Sequence, residues 1–517
     1  MEHYFACNSD TAVVETKQGK VRGYVYDDMT IFKGIPYASA KRFHAPQEAE
    51  PWEGVFNATN YGYVCPLMED DTANAELKVP HRYWLMNENC QNLNIWTPAC
   101  DDQKRPVMVW LHGGGFWAGS SIEQMAYEGG NMCSIGQVVV VSLNHRLNIL
   151  GYLDLSDFGE EYKNSGNAGT DDIIAALRWI QDNIAAFGGD PDNVTLFGQS
   201  GGGAKIMTLL QTPAADGLYA KGIIMSGVAT GLMEDSKGSG KKLVEKMMAQ
   251  LQIDDVKELE TVPYASLVAA YDAVKDELAK VGAYVGCSPL QNEFYEGFAL
   301  EKGFRKETAN VPILMGTVFG EFGAFAPSKY DKYKMPKSQQ IKIIEDFAGK
   351  EKGDQLIDLF EKAYPERPVL DILMLDFLFR EPTEAYIRKR SALNQCTYSY
   401  MFDLDMSIDG GTAPWHCSDI PYVFHNTELV PSTQEKGVTE KIEKQIFDTV
   451  MAFARTGNPN HDGLPNWPSS TPENEQVMVF GKNTSLKCNF DRELIEKAVE
   501  YLGEAFAKSM EETEIQH

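Results

Sequence analysis

The stretch VTLFGQSGGGAKIMTLL, residues 194–210, decides how this chain folds. It begins as a short apolar run typical of a buried β-strand and continues as an apolar helix. Glycines on both sides of Ser200 allow the backbone to turn sharply from strand to helix, which raises the serine hydroxyl above the end of a sheet. The N-terminus of the following helix favours negative charge at that point. The G-x-S-x-G string alone is common by chance, so the prediction of a reactive serine depends on its strand-to-helix setting.

Five other apolar runs predict strands of the same kind, at 107–111, 138–143, 222–227, 311–316 and 398–404. Continuous apolar runs without polar alternation are typical of a parallel sheet that is buried on both faces. Helical patterns lie between or after these runs, at 171–187, 441–456 and 491–510. We therefore predict an α/β fold with a mostly parallel, twisted central sheet flanked by helices.

Two stretches, 232–306 and 325–392, lack buried-strand runs and are richer in Lys, Glu and helical periodicity. They predict helical insertions over the sheet. A length of 517 residues does not by itself require several domains, because α/β enzymes often keep one continuous core. We expect residues 1–517 to form a single catalytic domain.

Charge and composition exclude several classes of partner. The chain has 47 Lys+Arg against 74 Asp+Glu, a formal net charge of −27, which repels phosphate backbones and anionic lipid surfaces, so no nucleic acid is expected as a partner. We find no basic start followed by an apolar run and no stretch of 18 uncharged apolar residues, so neither an export signal nor a membrane span is expected.

The nine cysteines are too sparse for a disulfide scaffold and contain no C-x-x-C pair with zinc-like spacing. These features predict a cytoplasmic protein without metal or cofactor. A secreted location is the alternative if a leader has been removed from the start of the chain.

A serine hydroxyl becomes a good nucleophile only beside a base, and the oxyanion that it creates needs hydrogen-bond donors about 3 Å away. The run HGGGF, residues 112–116, follows the predicted strand 107–111 and offers backbone N–H groups without side chains in the way. The pattern Gly113-x-Gly115-x-x-Ala118 also matches a dinucleotide-binding fingerprint, but the residues after it form no clean helix for a pyrophosphate. We therefore expect 112–116 to supply oxyanion donors.

Chain order restricts the base, because in α/β hydrolases the nucleophile is followed by the acid and then by the histidine. Four histidines come late enough in the chain: His416, His425, His461 and His517. We expect His416 to be the base, since it follows the strand 398–404 and a glycine-rich loop. We expect His425 to be structural.

The acid must lie between nucleophile and base. Glu321 comes just past the predicted strand 311–316, at the strand end where α/β sheets gather their ligands. A buried carboxylate there would orient the imidazole and stabilise its cationic form. Asp403 and Asp405, at the end of the next predicted strand, remain rival acids.

Many blocks in one order make the sequence resemble the type-B carboxylesterase and cholinesterase family of α/β hydrolases over nearly its whole length. They are IFKGIPYA (31–38) followed by Arg42-Phe43, ENCQNLNIWTP (88–98), HGGGF, LNHR (143–146), GNAGTDD (166–172), FGGDPDNVTLFGQSGGG (187–203), MSG (225–227), GEFG (320–323), HCSDIPYVF (416–424) and TGNPN (456–460). The HCSDIP block is more similar to bacterial members than to the animal enzymes.

The resemblance implies the α/β-hydrolase fold, with Ser200 as nucleophile, Glu321 as acid and His416 as base. It further implies an oxyanion hole from the amides of Gly114, Gly115 and Gly201, a serine near the acid (Ser226), ion pairs Arg42–Glu88 and Arg146–Asp172, and a disulfide between Cys65 and Cys90 that a reducing compartment would leave as thiols.

Several positions depart from the family pattern. Gln199 stands where members commonly have Glu, and Gly201 stands where they have Ala, which predicts a more mobile oxyanion hole. The missing charge at 199, together with the spacing of Trp84, disfavours choline esters. We expect Cys417, beside His416, to pack without facing the site.

The predicted function is that of a serine carboxylesterase, which cleaves a small-molecule ester through an acyl-enzyme and needs no cofactor. Phe116, Trp117 and the apolar stretch 370–379 predict an apolar substrate pocket. The alternatives are a lipase, an acyl-sugar esterase of the acetyl or feruloyl type, and a non-catalytic cholinesterase-like binding module.

Overall fold

The computed structural model describes residues 3–68, 80–229, 238–325, 331–376, 378–408 and 411–514. Its strands are β1 Phe5–Ala6, β2 Val13–Thr16, β3 Gly19–Arg22, β4 Tyr24–Tyr26, β5 Met29–Pro36, β6 Ala38–Ser39, β7 Gln47–Glu48, β8 Val55–Asn57, β9 Asn92–Thr97, β10 Arg105–Leu111, β11 Val139–Leu143, β12 Gly189–Gln199, β13 Lys221–Met225, β14 Ile313–Val318, β15 Thr397–Phe402, β16 Gln476–Phe480 and β17 Ser485–Cys488. Its helices are α1 Gly130–Gly136, α2 Asn148–Tyr152, α3 Ala168–Asn183, α4 Gly201–Leu210, α5 Lys241–Leu251, α6 Tyr264–Ala279, α7 Ala299–Lys302, α8 Lys337–Ala348, α9 Lys350–Ala363, α10 Arg380–Ser391, α11 Ile420–Phe424, α12 Thr439–Thr456 and α13 Arg492–Glu514.

One sheet of twelve strands forms the centre of the molecule, in the order β1-β4-β5-β9-β11-β10-β12-β13-β14-β15-β16-β17. The strands from β11 to β16 in this order run parallel, and antiparallel strands flank them on both sides. The six apolar runs quoted above coincide with β10 to β15, so the prediction of a mostly parallel central sheet is confirmed.

Both faces of this sheet are buried, which explains why its strands are continuously apolar. In β10, Met108 and Trp110 pack into one hydrophobic cluster, whereas Val107, Val109 and Leu111 pack into the cluster on the opposite face. The alternation follows from the two-residue period of a strand. Helices α3 and α4 cover the second of these faces, and α12 covers the first.

The antiparallel strands that flank the parallel part of the sheet, and the small separate sheet that contains β2, were not predicted. The strand β2 alternates between exposed and buried residues and so lacks an apolar run, and β9 is fully buried but carries two asparagines in NLNIWT. In both cases the backbone pairing is satisfied while the side-chain signal for a strand stays weak.

The two stretches predicted as helical insertions contain helices and, among their described residues, no strand. Residues 232–306 carry α5, α6 and α7 between β13 and β14, and residues 325–392 carry α8, α9 and α10 between β14 and β15. The positions 232–237, 326–330 and 377 lie outside the described residues. That the whole chain is one catalytic domain stays a prediction.

The parallel arrangement brings several loops to the same edge of the sheet. The strand β10 ends just before HGGGF, β12 ends at the residue before Ser200, β14 ends shortly before Glu321, and the loop after β15 leads to His416. Because parallel strands all point their carboxyl ends the same way, these loops converge there.

Candidate active site

Ser200 occupies the turn between β12 and α4 with a strained backbone. Its φ of 56° and ψ of −125° lie outside the regions that L-residues prefer. The Ser200 N–H donates to the carbonyl of Met225 at 2.8 Å, and the Ser200 carbonyl accepts from Ala204 N–H at 3.0 Å. Ser200 is partly exposed, while Gln199 and Gly201 beside it are buried. The turn therefore presents the serine at the surface of the edge where the loops converge.

Glycine is required at position 201 by close packing. A Cβ there would lie 2.2 Å from the carbonyl oxygen of Gly115 and 2.4 Å from its nitrogen. A Cβ on Gly202 would lie 1.9 Å from the carbonyl oxygen of Leu111. Such distances do not occur in folded proteins, so the elbow presses directly on the backbone of the HGGGF loop. The expectation of a looser backbone at Gly201 stays a prediction, and the close backbone contacts around this residue argue against it.

The HGGGF loop curls so that its amides have no internal acceptor. Gly114 and Gly115 have φ values of 81° and 60°, and the carbonyl of Gly114 accepts from Ala118 N–H at 2.9 Å. In the part of the chain that the structure describes, no backbone acceptor is bonded to the N–H groups of Gly114, Gly115 or Gly201. Three donors therefore remain available where the loop meets the elbow.

A buried lysine supports this loop from below. Lys205, on α4, donates from Nζ to the carbonyl of His112 at 2.9 Å. Burial lowers the pKa of Lys205 to about 7. The rings of His112 and His145 stack at 5.2 Å, and burial together with Lys205 holds the pKa values of both far below the usual range. Sequence reasoning missed Lys205, although a single cation in an apolar helical run was a usable signal.

Glu321 and His416 form a direct hydrogen-bonded pair. Oε2 of Glu321 lies 2.5 Å from Nδ1 of His416, and both side chains are buried. The second carboxylate oxygen, Oε1, accepts from Ser226 Oγ at 2.6 Å and from Val318 N–H at 2.9 Å. Three donors therefore compensate the buried charge of Glu321, which would otherwise be costly.

Two aromatic rings pack against the base and also against each other. The His416 ring lies 4.4 Å from the ring of Phe322 and 4.8 Å from that of Phe379. Phe379 belongs to the stretch 370–379 that was predicted to line a pocket; Phe377 lies outside the described residues. The imidazole therefore lies against an aromatic cluster while its Nδ1 contacts Glu321.

Two further buried carboxyls surround the acid, and sequence reasoning identified neither of them. Burial, and then the charge of Glu321, raise the pKa of Asp376 and of Asp419 to about 7. Asp376 accepts backbone N–H groups at the start of α10, and Asp419 accepts from Tyr400 Oη at 2.8 Å. The surroundings of Glu321 are thus acidic and shielded from water.

Gln199 connects the elbow to the base. Its Nε2 lies 3.2 Å from Nε2 of His416, and its Oε1 accepts from the Cys417 thiol at 3.2 Å. Because Gln199 directly precedes Ser200, this contact brings the serine turn and the imidazole to one place. The expectation that Cys417 only packs is wrong, since its thiol faces the same cluster.

The rival residues lie in other networks. Asp405 binds the buried Arg367 at 2.7 Å, and Asp403 pairs with the same guanidinium. Asp403 and Asp405 are therefore occupied away from His416. His425 faces Glu443, His461 contacts Thr449, and His517 lies outside the described residues.

The two predicted pocket residues differ in their surroundings. Phe116 is fully buried and packs edge-on against Tyr152, with ring centroids 5.3 Å apart, so it belongs to the core. Trp117 is 48% exposed, and its ring lies against Gly115. Trp117 is thus the one of the pair that offers accessible aromatic surface beside the glycine loop.

Both ion pairs implied by the resemblance are present. Arg146 binds the buried Asp172 at 2.7 Å and also donates to three backbone carbonyls, and the Nε of Arg42 donates to Glu88 at 2.9 Å. They fix loops behind the sheet edge and take no part in the cluster around His416.

Cys65 and Cys90 are both buried free thiols, and no disulfide joins them. Their contact and their burial hold the pKa of Cys90 well above the usual range for a thiol. Trp84 is 42% exposed and packs against Tyr61.

Over the described residues, no group of three or more His, Cys, Asp or Glu side chains is arranged to hold a metal ion. None of the helices in the same part of the chain is both long enough and apolar enough to cross a membrane.

Comparison with known proteins assigns the class. The model of the carboxylesterase family matches residues 10–501. The chain is 31% identical to para-nitrobenzyl esterase of Bacillus subtilis (strain 168), over 95% of this chain and 99% of that one, and 30% identical to phenmedipham hydrolase of Pseudarthrobacter oxydans, over 91% and 95%. A solved esterase from anaerobic Clostridium hathewayi, described as able to hydrolyse aliphatic aromatic polyesters, superposes with a TM-score of 0.94 at 47% identity, over 97% of this chain and all of that one.

The protein therefore belongs to the carboxylesterase family and has the α/β-hydrolase fold. It is a serine carboxylesterase, and the alternative of a non-catalytic binding module has no support, because its relatives are esterases and hydrolases.

Proposed function

We propose that Ser200 is the nucleophile of this carboxylesterase, His416 its base and Glu321 its acid, with the amides of Gly114, Gly115 and Gly201 as oxyanion donors. The observation that carries the proposal is the buried chain from Glu321 to Nδ1 of His416 at 2.5 Å, with Nε2 of the same ring facing the Ser200 turn through Gln199. A base that is oriented through Nδ1 and directs Nε2 toward the serine turn is what an alkoxide-forming serine requires.

In this mechanism Nε2 of His416 accepts the Ser200 hydroxyl proton as Oγ attacks the ester carbonyl. Glu321 stabilises the resulting imidazolium, and the three glycine amides hold the oxyanion of the tetrahedral intermediate. The imidazolium then returns its proton to the departing alcohol, which leaves the acyl group on Ser200. A water molecule, deprotonated by His416 in the same way, hydrolyses this acyl-enzyme and regenerates the serine.

The substrates that we propose are uncharged esters with an aromatic or aliphatic part that can lie on Trp117. The half-exposed indole beside Gly115 supports an apolar substrate surface, and the relative from Clostridium hathewayi suggests aliphatic aromatic polyesters as one class. Lipid esters and acyl-sugar esters remain alternative substrate classes. We also propose a cytoplasmic location, supported by nine free cysteines, the form that a reducing compartment maintains.

The experiment that tests the site compares the wild type with Ser200→Ala on p-nitrophenyl esters from acetate to laurate, together with an aliphatic aromatic polyester. Because the triad acts as a unit, we expect kcat to fall by about 10⁶-fold without loss of the folded state. Active-site titration with an organophosphate is expected to label one site per wild-type chain and none in the variant. Turnover close to wild type in Ser200→Ala would remove Ser200 from this role.

A further inference from the structure

The carboxamide of Gln199 lies between two groups whose chemistry fixes its orientation. His416 lies at one end, with Nε2 at 3.2 Å, and Cys417 lies at the other, with Sγ at 3.2 Å. Gln199 and His416 are each 1% exposed and Cys417 is 6% exposed, so water has little access to this contact. Whichever end of the amide faces the imidazole therefore acts on it without competition from solvent.

The hydrogen-bonding partners select one orientation. A neutral imidazole that donates from Nδ1 to Glu321 has only a lone pair at Nε2, so the neighbour at Nε2 must be a donor. In the resting site the NH₂ group of Gln199 is that donor, and it gives way to the Ser200 hydroxyl when Nε2 accepts the serine proton. Its oxygen then points to Cys417, and a thiol is a better donor to an amide oxygen than an acceptor from an amide nitrogen. Each of the three contacts supports the other two.

This orientation opposes protonation of Nε2. An imidazolium would carry a proton on Nε2, directed at an NH₂ group that already points a proton at it. A glutamate at position 199, the residue common in the family, would do the opposite, because a carboxylate at about 3 Å attracts the imidazolium proton. The replacement of Glu by Gln therefore changes the sign of the interaction at the base.

We propose that Gln199 is a positioning residue that keeps Nε2 of His416 unprotonated and so extends esterase activity toward lower pH. The thiol of Cys417 holds the carboxamide of Gln199 in the orientation that this requires. The inference rests on the proposed roles of Ser200 and His416. Glu321 also faces the imidazole, at Nδ1, and the rings of Phe322 and Phe379 pack against it. The charge of Glu321 acts on both Asp376 and Asp419, and the charge of His416 acts on Asp419. All of these groups are unchanged in the variants below, so they form a constant background.

The test measures the acid-side inflection of the pH profile of kcat/KM, which reports the base of the free enzyme. Gln199→Glu is expected to move this inflection upward by about one to three pH units, the range for an opposite charge placed beside a titrating group. Cys417→Ala, which frees the carboxamide to turn its oxygen toward Nε2, is expected to move it in the same direction by a smaller amount. Cys417→Ser keeps a donor at that place and is expected to restore the inflection relative to Cys417→Ala.

Cys133→Ala is the matched control, since Cys133 is a buried thiol on α1 with no contact to this cluster among the described residues, and its profile is expected to equal that of the wild type. Rates are normalised to active sites titrated with an organophosphate, which separates folding from pH dependence. If Gln199→Glu does not fold, the comparison of Cys417→Ala with Cys417→Ser carries the test.

An acid inflection that is unmoved in both Gln199→Glu and Cys417→Ala would overturn the proposal. That failure differs from failure of the proposed function, which would appear as activity in Ser200→Ala whatever the pH profile.

Discussion

The two halves of the active site are built by different physical means. The nucleophile half, residues 111–119 and 198–205, is held by backbone against backbone, with Gly201 pressed onto Gly115. The acid–base half, residues 316–322, 376, 378–380 and 414–419, is held by buried carboxyls and rings around Glu321 and His416. We conclude that steric fit controls the first half and charge controls the second. Substitutions that change only volume should therefore damage one half, and substitutions that change only charge should damage the other.

Apart from removal of the nucleophile itself, the largest effect is expected from a change of charge in the acid–base half. Glu321→Gln keeps the shape of the side chain but removes the charge, so the tautomer and the cationic form of His416 lose their support. We expect kcat to fall about 10⁴-fold while the fold is retained. The measurement is kcat on p-nitrophenyl acetate, with circular dichroism as the check of folding.

The rival acid offers a matched control for this prediction. Asp405→Asn makes the same chemical change in a carboxylate that binds Arg367 and Lys332 instead of the imidazole. Its kcat per folded molecule is expected to stay far above that of Glu321→Gln. If Asp405→Asn instead lowered kcat more than Glu321→Gln, the catalytic acid would be Asp405 and not Glu321.

The next effect is expected from added volume in the nucleophile half. Gly201→Ala installs the residue that is common in the family, yet its Cβ would collide with the backbone of Gly115 at 2.2 Å. The loop or the elbow must shift, so we expect loss of one oxyanion donor and a fall in kcat of about 10²- to 10³-fold.

Gly503→Ala serves as its control, because that glycine lies on α13 with open space around it. It should leave kcat at the wild-type value and raise stability slightly, since alanine has the higher helix propensity. A Gly201→Ala enzyme with unchanged kcat would show that the contact between elbow and loop is not tight, and the contrast between the two halves would disappear.

The smallest effect concerns the one cation inside the nucleophile half, and it is measured as stability. The pKa of Lys205 is lowered to about 7 by burial, against a usual value of 10.5 in the unfolded chain. Between these pH values the unfolded chain binds a proton that the folded chain does not, so stability rises with pH from about 7 to 10.5, and this contribution is lost as the pH falls from 10.5 to 7 and is constant below about 7. The slope from this group is at most about 1.4 kcal/mol per pH unit.

Lys205→Met is expected to remove this slope. The free energy of unfolding of the variant should therefore exceed that of the wild type by the largest amount at pH 7 and below. Urea unfolding at pH 7, 8, 9 and 10 measures it. Lys280→Met, at an exposed lysine, should leave the slope of the wild type unchanged. An identical slope in wild type and Lys205→Met would mean that the Lys205 ammonium is solvated and does not support the loop as described.

Much of the scaffold could be predicted from the sequence because its signals are local. The apolar runs of β10 to β15 lack polar alternation, and the glycines around Ser200 stand between a strand pattern and a helix pattern. Chain order and strand ends then favoured Glu321 and His416, with Asp403 and Asp405 left as rival acids, and the structure places Glu321 and His416 2.5 Å apart. The assignment of catalytic roles to these residues stays a proposal until the variants are measured.

The sequence by itself determined the class of fold, the order of the site residues and the donors available, because hydrophobic period and turn chemistry depend on near neighbours in the chain. Only the tertiary structure decided that Gly201 is clamped by Gly115, that Asp376 and Asp419 surround Glu321, and that Cys417 orients Gln199. These facts depend on distances between segments that are from about 55 to more than 200 residues apart, and on burial, which raises or lowers a pKa only after the chain has folded around the group.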